Sequence, residues 1–249
     1  MQNKSMSEYI IRPIARIYTD FNERFGIPRQ AGLADELTAR IVFEEDFRDI
    51  NAIRGIESFS HLWLIWNFSE TRIDMSADPV KWSALVTPPR LGGKIKEGVF
   101  ATRSPYRPNS LGLSSVKLLK VQPHTNDGPI LVVGGADILN GTEIFDIKPY
   151  LPYTDLHADA AGGFACCEKK VLNIDFPEDL INIIPMEKQK SLLQILQQDP
   201  RGAYEKQSGY VYGLSFDSFD IRFTVEEDVL RVFEVLRRSD GSKPFHNIK

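Results

Sequence analysis

The chain has 249 residues, with 30 Lys plus Arg against 34 Asp plus Glu, a formal charge of -4, and 42% hydrophobic and 26% charged residues. This balance is that of a soluble globular protein and excludes collagen, a long coiled coil and wholesale disorder. No apolar run approaches the ~18 residues of a membrane-spanning helix, Met1-Gln2-Asn3-Lys4-Ser5 lacks a signal-like apolar stretch, and the adjacent Cys166 and Cys167 make no disulfide framework, so the expected location is the cytoplasm.

The first two thirds read as short strands over 9–18, 37–43, 62–68, 99–102, 115–121 and 130–133, separated by Gly, Pro, Asn and Asp clusters. One short helix is predicted near 47–53. Many short strands with turn signals point to an antiparallel sheet that closes, or nearly closes, into a barrel. Residues 157–164 read as a linker, and 171–176 as a strand returning to the first domain. Pro177 suits a first helical turn before Leu180, Ile181 and Ile184. Pro185 interrupts that pattern, and Leu192, Leu193, Ile195 and Leu196 restart a helical stripe that stops at Asp199-Pro200. Three strands follow, over 210–214, 219–225 and 229–236. The expected architecture is mainly β: a small antiparallel barrel over 1–165 with a small α+β accessory domain over 166–249.

Several common chemistries are missing. The histidines at 61, 124, 157 and 246 have no zinc-ligand spacing, and no Cys-x-x-Cys occurs. Gly92-Gly93-Lys94 is followed by Ile95 rather than Ser or Thr, which excludes a phosphate-binding loop of the Walker type. The stretch from Leu131 to Asp137 resembles a nucleotide-binding strand and turn but lacks Gly-x-Gly-x-x-Gly. Charge is uneven. From Ala84 to Lys120 seven cations (Arg90, Lys94, Lys96, Arg103, Arg107, Lys117, Lys120) face one anion, Glu97, a local balance of +6. Such a window reads either as an anion-binding face or as a solvated strand edge with protective lysines.

Four segments carry loop-shaping residues. Phe25-Gly26-Ile27-Pro28-Arg29-Gln30 fixes a tight path that presents the donors of Arg29 and Gln30. The run from Gly98 to Ser114, with Gly98-Val99-Phe100-Ala101-Thr102-Arg103-Ser104-Pro105-Tyr106-Arg107-Pro108-Asn109 at its start, brackets Arg107 with prolines, a stiff setting that suits recognition of something planar or anionic. Asn140-Gly141 is a hairpin signal, and Asp146, Lys148, Tyr150, Tyr153 and Asp155 alternate along a proline-stiffened run. Ser60-His61-Leu62-Trp63 reads first as a buried histidine before an apolar strand.

Taken together, these strings resemble the TrmO (TsaA) family of S-adenosylmethionine-dependent tRNA methyltransferases. Phe-Ser-His-Leu-Trp at 59–63, Pro-Pro-Arg-Leu-Gly-Gly at 88–93, Asn-Gly-Thr at 140–142 and Asp-Ile-Lys-Pro-Tyr-x-Pro-Tyr at 146–153 add to the match. Gln198-Asp199-Pro200-Arg201-x-Ala203-Tyr204 and Asp220-Ile221-Arg222-Phe223 resemble the accessory domain of bacterial members. The resemblance implies a homodimeric β-barrel enzyme that methylates N6 of threonylcarbamoyl-adenosine at position 37, in the anticodon loop of threonine tRNA, without a metal. It places cofactor contacts on Pro28, Arg29, Gln30, Ser69, Glu70, Arg103 and Leu113, and on the turn carrying Asp137, Leu139, Asn140, Gly141 and Thr142. Many relatives carry Asp where this chain has Asn140.

Methyl transfer from a sulfonium is an in-line displacement, accelerated by placing the attacking nitrogen along the sulfur–carbon axis. The amine must also lose a proton; Asp137, Asp146 and Tyr150 are the candidate acceptors. Lys148 and Arg107 suit a carboxylate or a phosphate. Arg201, Tyr204 and Arg222 suit phosphate contact and base stacking, against a reading in which Arg201 only caps the preceding helix. Two other functions stay open: a catalytically idle RNA-binding module that keeps the cofactor pocket, and a methyltransferase with another substrate.

Overall fold

A computed structural model describes residues 9–71, 82–166, 171–201 and 209–238. In chain order, β1 (Ala15–Tyr18), β2 (Thr38–Phe43), β3 (His61–Asn67), β4 (Leu85–Val86), β5 (Glu97–Gly98), β6 (Leu111–Gln122), β7 (Ile130–Gly134) and β8 (Thr142–Pro149) build the first unit. β4 and β5 form a small ribbon, while the other six close into a barrel in the order β1-β2-β7-β6-β3-β8. Every neighbouring pair of the barrel is antiparallel. A period of two sends Ala15 and Ile17, Ala39 and Ile41, Leu62 and Leu64, and Leu131 and Val133 into one core.

After α1 (Pro152–Asp155), the second unit comprises β9 (Asn173–Asp175), α2 (Glu178–Ile181), α3 (Met186–Gln197), β10 (Tyr212–Phe216), β11 (Phe219–Glu226) and β12 (Val229–Arg237). Its sheet runs β10-β11-β12-β9. Leu192, Ile195 and Leu196 of α3 pack on Leu214, Ile221 and Phe223. Phe21, Ala34 and Leu37, from the β1–β2 connection, belong to this second core. Residues of the barrel's own connection are therefore shared with the accessory unit. Asp217 N–H donates to Asp20 O at 2.9 Å. Lys188 Nζ meets Asp20 at 2.6 Å and Asp217 at 3.0 Å. Burial lowers the Lys188 pKa, but the two carboxylates more than offset this and leave it raised.

Three expected elements differ. The 99–102 strand is a tight helical turn, Val99–Ala101. Thr102 Oγ1 donates to Val99 O at 2.9 Å and Ser104 N donates to Thr102 Oγ1 at 3.2 Å, so local side-chain bonds replace a ladder. The helix near 47–53 is two such turns, Glu45–Phe47 and Ile50–Ile53, the second capped by the Asp49 carboxylate on Asn51 N at 2.9 Å. The strand over 171–176 does not return to the barrel. β9 pairs in parallel with β12, and Leu172 N donates to Gln197 O at 2.9 Å. Among the described residues no helix is long and apolar enough to cross a membrane.

The barrel mouth rests on one close contact. Gly112 lies opposite Trp66 in the β3–β6 ladder, and a Cβ there would run into the buried indole. Gly112→Ala should therefore destabilise the fold by roughly 1–3 kcal/mol, as overpacking does. A lowered denaturant midpoint at an unchanged m-value is the expected result, and an unchanged midpoint would mean that the indole shifts freely.

Candidate active site

A cavity of about 590 Å³ opens at the mouth of the barrel. That volume lies in the range of roughly 300–1,000 Å³ usual for small-molecule sites. Five segments converge on it: the β1–β2 connection, the end of β3 with the residues after it, the 102–107 loop, the start of β6, and the β7–β8 turn. Gly26, at φ 90°, turns the first of these tightly, and its bare Cα lets the Leu214 side chain of β10 press against it. The loop carrying Pro28, Arg29 and Gln30 is thus docked on the accessory unit as well as the barrel.

Of the twelve residues expected around a cofactor, the structure gathers Pro28, Arg29, Gln30, Ser69, Glu70, Arg103, Leu113, Asp137, Leu139 and Thr142 around this one cavity. Asn140 and Gly141 do not line it. The Asn140 amide stitches the turn together: Oδ1 accepts from Thr19 N at 3.1 Å, and Nδ2 donates to Asn22 Oδ1 at 3.1 Å. A carboxylate could make only the first of these bonds, which gives the amide a structural reason to be here. Gly141 takes φ 77°, the positive value that the turn requires.

Asp146, Lys148 and Tyr150 lie outside the lining. Asp146 pairs with Lys148 at 2.7 Å on an open part of β8. Tyr150 packs its ring 5.6 Å from that of Trp63, which does line the cavity and donates from Nε1 to Asp155 at 2.9 Å. Arg107 lines the cavity, but its guanidinium donates to Thr102 O at 2.8 Å and lies 6.0 Å from the Phe100 ring centre, so it also holds its own loop. The +6 window is thereby divided: Arg103 and Arg107 face the cavity, while Arg90, Lys94, Lys96, Lys117 and Lys120 are exposed and outside its lining.

The expected RNA contacts of the accessory unit need correction at Arg201. Its side chain is buried in a fork on Asp199, with bonds of 2.8 and 3.2 Å, and is not offered to a phosphate. The cause is local: Asp199 adopts φ 53°, and its carboxylate also accepts from Arg201 N at 3.4 Å. Arg222 is partly buried and pairs with Glu234 at 2.6 Å. Tyr204, like Cys167, lies outside the described residues.

Arg24, Trp66, Asn67 and Phe68 also line the cavity without belonging to the expected cofactor contacts, and so does Ser114, the last residue of the loop-shaping run that begins at Gly98. A polar serine at an inward-facing strand position, between Gly112 and Val116, is the one signal that could have exposed this group. Trp66 Nε1 donates to Ser114 Oγ at 3.0 Å, and Ser114 Oγ donates to Asp137 Oδ1 at 2.6 Å. Burial pushes the Asp137 carboxyl above the ordinary carboxylate range; the bonds from Ser114 and the Ala31 amide and the charge of Arg103 oppose this without cancelling it. Glu70 is paired with Arg24. Arg103 and Arg29 instead hydrogen-bond neutral acceptors, Gln30 Oε1 and the Arg201 carbonyl, while their charges act at longer range on Asp137 and Asp199.

The profile of the tRNA-methyltransferase O N-terminal domain matches residues 16–156, and that of the TrmO C-terminal domain matches 172–238. The chain belongs to the TrmO family. A tRNA (adenine(37)-N6)-methyltransferase of Escherichia coli (strain K12) is 35% identical over 237 residues, covering 92% of this chain and 98% of that one. A Pseudomonas aeruginosa protein named as an S-adenosylmethionine-dependent methyltransferase is 35% identical over 234 residues, covering 90% of this chain and 96% of its own. The crystal structure of TrmO from Pseudomonas aeruginosa superimposes with a TM-score of 0.72 at 30% identity, covering 92% of this chain and all of that one. The barrel and accessory sheet are therefore those of a TrmO methyltransferase. Among the described residues no cluster of three or more His, Cys, Asp or Glu is placed to hold a metal ion.

The raised Asp137 carboxyl has a consequence for stability. It binds its proton more tightly when folded, so its contribution favours folding at acid pH and is lost as pH rises through the folded pKa. Asp137→Asn should lose less stability than the parent over the pH range that begins at the ordinary aspartate value of about 3.9 and extends above it. Urea midpoints measured across that range decide it, and parallel curves for the two proteins would remove this carboxyl from the pH dependence.

Proposed function

We propose that the chain transfers a methyl group from S-adenosylmethionine to N6 of adenosine 37 in tRNA, and that its substrate is the threonylcarbamoyl form in threonine tRNA. The observation that carries this reading is the cavity itself, where a proton-accepting carboxyl, two arginines on neutral partners and an aromatic-apolar wall meet in one space. These residues fit the cofactor. Trp66, Phe68, Leu111 and Leu113 offer surface for a purine, Glu70 offers acceptors for ribose hydroxyls, and Arg29 and Arg103 suit the methionyl carboxylate. When bound, S-adenosylmethionine supplies an electrophilic methyl carbon on a sulfonium.

The chain's own contribution is placement and proton removal. Asp137 is the acceptor we favour. Its raised pKa makes it more basic than a solvated carboxylate, and Ser114 fixes its orientation. Asp146 is less suited because Lys148 neutralises it outside the cavity. A carbamoyl group on the adenine nitrogen makes its N–H more acidic, which lightens the demand on the base. Arg107 at the rim, and Lys148, directly across the β3–β8 ladder from cavity-lining Trp63, are the cations we assign to the threonyl carboxylate or a neighbouring phosphate.

Leu113 is 57% exposed and Phe100 71% exposed, with Leu111 and Tyr106 also exposed nearby in the chain. This apolar rim supports a homodimer in which a second copy covers it. The reading places the enzyme with its tRNA in the cytoplasm.

Methyl incorporation into tRNA isolated with and without the threonylcarbamoyl modification is the central test. Incorporation into the modified tRNA only is expected, and equal rates on both would sink direct reading of that group. Arg103→Ala should weaken S-adenosylmethionine binding by roughly 1.5–3 kcal/mol in calorimetry, the scale of a hydrogen bond to a charged group. Asp137→Asn should slow methyl transfer by about 100-fold or more and abolish the acid limb of the parent's rate profile, which falls as pH drops through the raised pKa. A variant that keeps the parent's rate would give the proton to another acceptor.

A further inference from the structure

Arg29 is a cavity arginine whose aim is set from outside the barrel. Its Nη2 donates to the backbone carbonyl of Arg201 at 2.9 Å, across 172 residues of chain. That carbonyl sits in an unusually constrained corner. Asp199 is 3% exposed and Arg201 6% exposed, and the two side chains form a forked ion pair within two residues of each other. The Arg201 guanidinium lies 5.9 Å from the ring centre of Tyr212, which is fully buried on β10. Asp199 also holds a left-handed φ of 53° that a non-glycine residue rarely adopts.

The left-handed Asp199 is the residue that ends α3, its N–H donating to Leu196 O at 3.1 Å, but ending the helix does not require the buried ion pair. A desolvated ion pair costs free energy, and what this one produces, on a chain already turned by Asp199, is a carbonyl held at one place facing Arg29. The Asp199 charge reaches Arg29 as well. Burial lowers the Arg29 pKa, and Asp199 works against that lowering.

We propose that Asp199 and Arg201 are positioning residues: their buried pair fixes the carbonyl that aims Arg29 into the cavity, so the accessory unit sets how the barrel recognises the carboxylate end of its small-molecule ligand. The proposal rests on the reading of this cavity as the S-adenosylmethionine site. It turns the accessory unit from an RNA-positioning appendage into part of the cofactor site. It also gives the buried Arg201 a role that phosphate contact cannot.

The test compares two ligands by calorimetry on the full chain. S-adenosylhomocysteine carries the carboxylate and 5′-methylthioadenosine lacks it. Asp199→Asn should weaken the first by roughly tenfold, the scale of one charge-assisted hydrogen bond, and leave the second within about twofold. In an Arg29→Ala background the same substitution should cost nothing further, as expected of residues acting through one another. Arg201→Lys keeps the charge but loses the fork, and should give a smaller loss confined to the same ligand. It carries the test if Asp199→Asn does not fold. Equal losses for the two ligands, or an undiminished loss when Arg29 is absent, would overturn the proposal and leave the pair a role in folding alone. A parent protein that binds neither ligand would sink the cofactor reading together with it, whereas binding by the parent with additive losses refutes only the positioning role.

Discussion

The β1–β2 connection of the barrel buries side chains in the core of the second unit while hydrogen bonds such as Gly32 N on Gly135 O and Thr19 Oγ1 on Ile138 O tie it to the barrel, and the rest of the structure depends on that link. Phe21, Ala34 and Leu37 are buried among the residues of α3 and the second sheet, although the strands on either side of them build the barrel. Apolar burial supplies the driving force, at about 25 cal/mol for each Å² removed from water. Directional contacts supply the geometry: Lys188 between Asp20 and Asp217, Asp217 N on Asp20 O, and Ser215 N on Glu23. A connection held along both sides cannot drift, and Pro28, Arg29 and Gln30 ride on it into the cavity. Removing the second unit would expose that apolar surface as well as remove a domain.

Charge in the cavity follows from the same economy. Four arginines, Arg24, Arg29, Arg103 and Arg107, line it together with the carboxylates of Glu70 and Asp137. Each guanidinium has a partner, but the partners differ. Glu70 neutralises Arg24, whereas Arg29, Arg103 and Arg107 hold neutral carbonyl or amide oxygens. Neutral acceptors orient a cation without cancelling its charge, so the cavity keeps a positive potential for an anionic ligand group. Asp137 is set apart by burial behind Ser114 and Trp66, where the desolvation penalty on its charged form is largest. One small space thus holds a carboxyl that favours its proton beside cations that favour an anion. That separation of roles is what a proton-coupled transfer near a charged ligand requires.

The resemblance of the chain to TrmO was visible because the residues that shape loops leave long, ordered signatures, from Phe25-Gly26 to the Asp-Ile-Lys-Pro-Tyr string. The run over 62–68 is readable as a strand from its aromatic and aliphatic residues, and in β2 a period of two puts one set of side chains inside. The 99–102 segment reads as a strand because Val, Phe and Thr favour strands locally, and only Thr102 and Arg107 closing on Val99 O decide otherwise. Likewise β9 looked like a strand in search of the barrel. Its destination was set by Leu172 and Ile174, whose apolar side chains meet the second core rather than the first.

By itself, the sequence determined the strand-rich first unit, the helix that ends before Pro200, the set of loops bearing Arg29, Arg103 and Asp137, and the family these imply. Those features are local, encoded in turn residues, periodicity and motif strings. Tertiary structure alone decided that ten of the expected cofactor residues share one cavity, and that Asn140 holds a turn beside it. It alone decided that Trp66 and Ser114 stand behind Asp137, and that Arg201 is buried under its own pair instead of facing RNA. Burial and pairing between residues far apart in the chain depend on how sheets close and cores dock, and no spacing along one strand of sequence records the neighbours that closure brings.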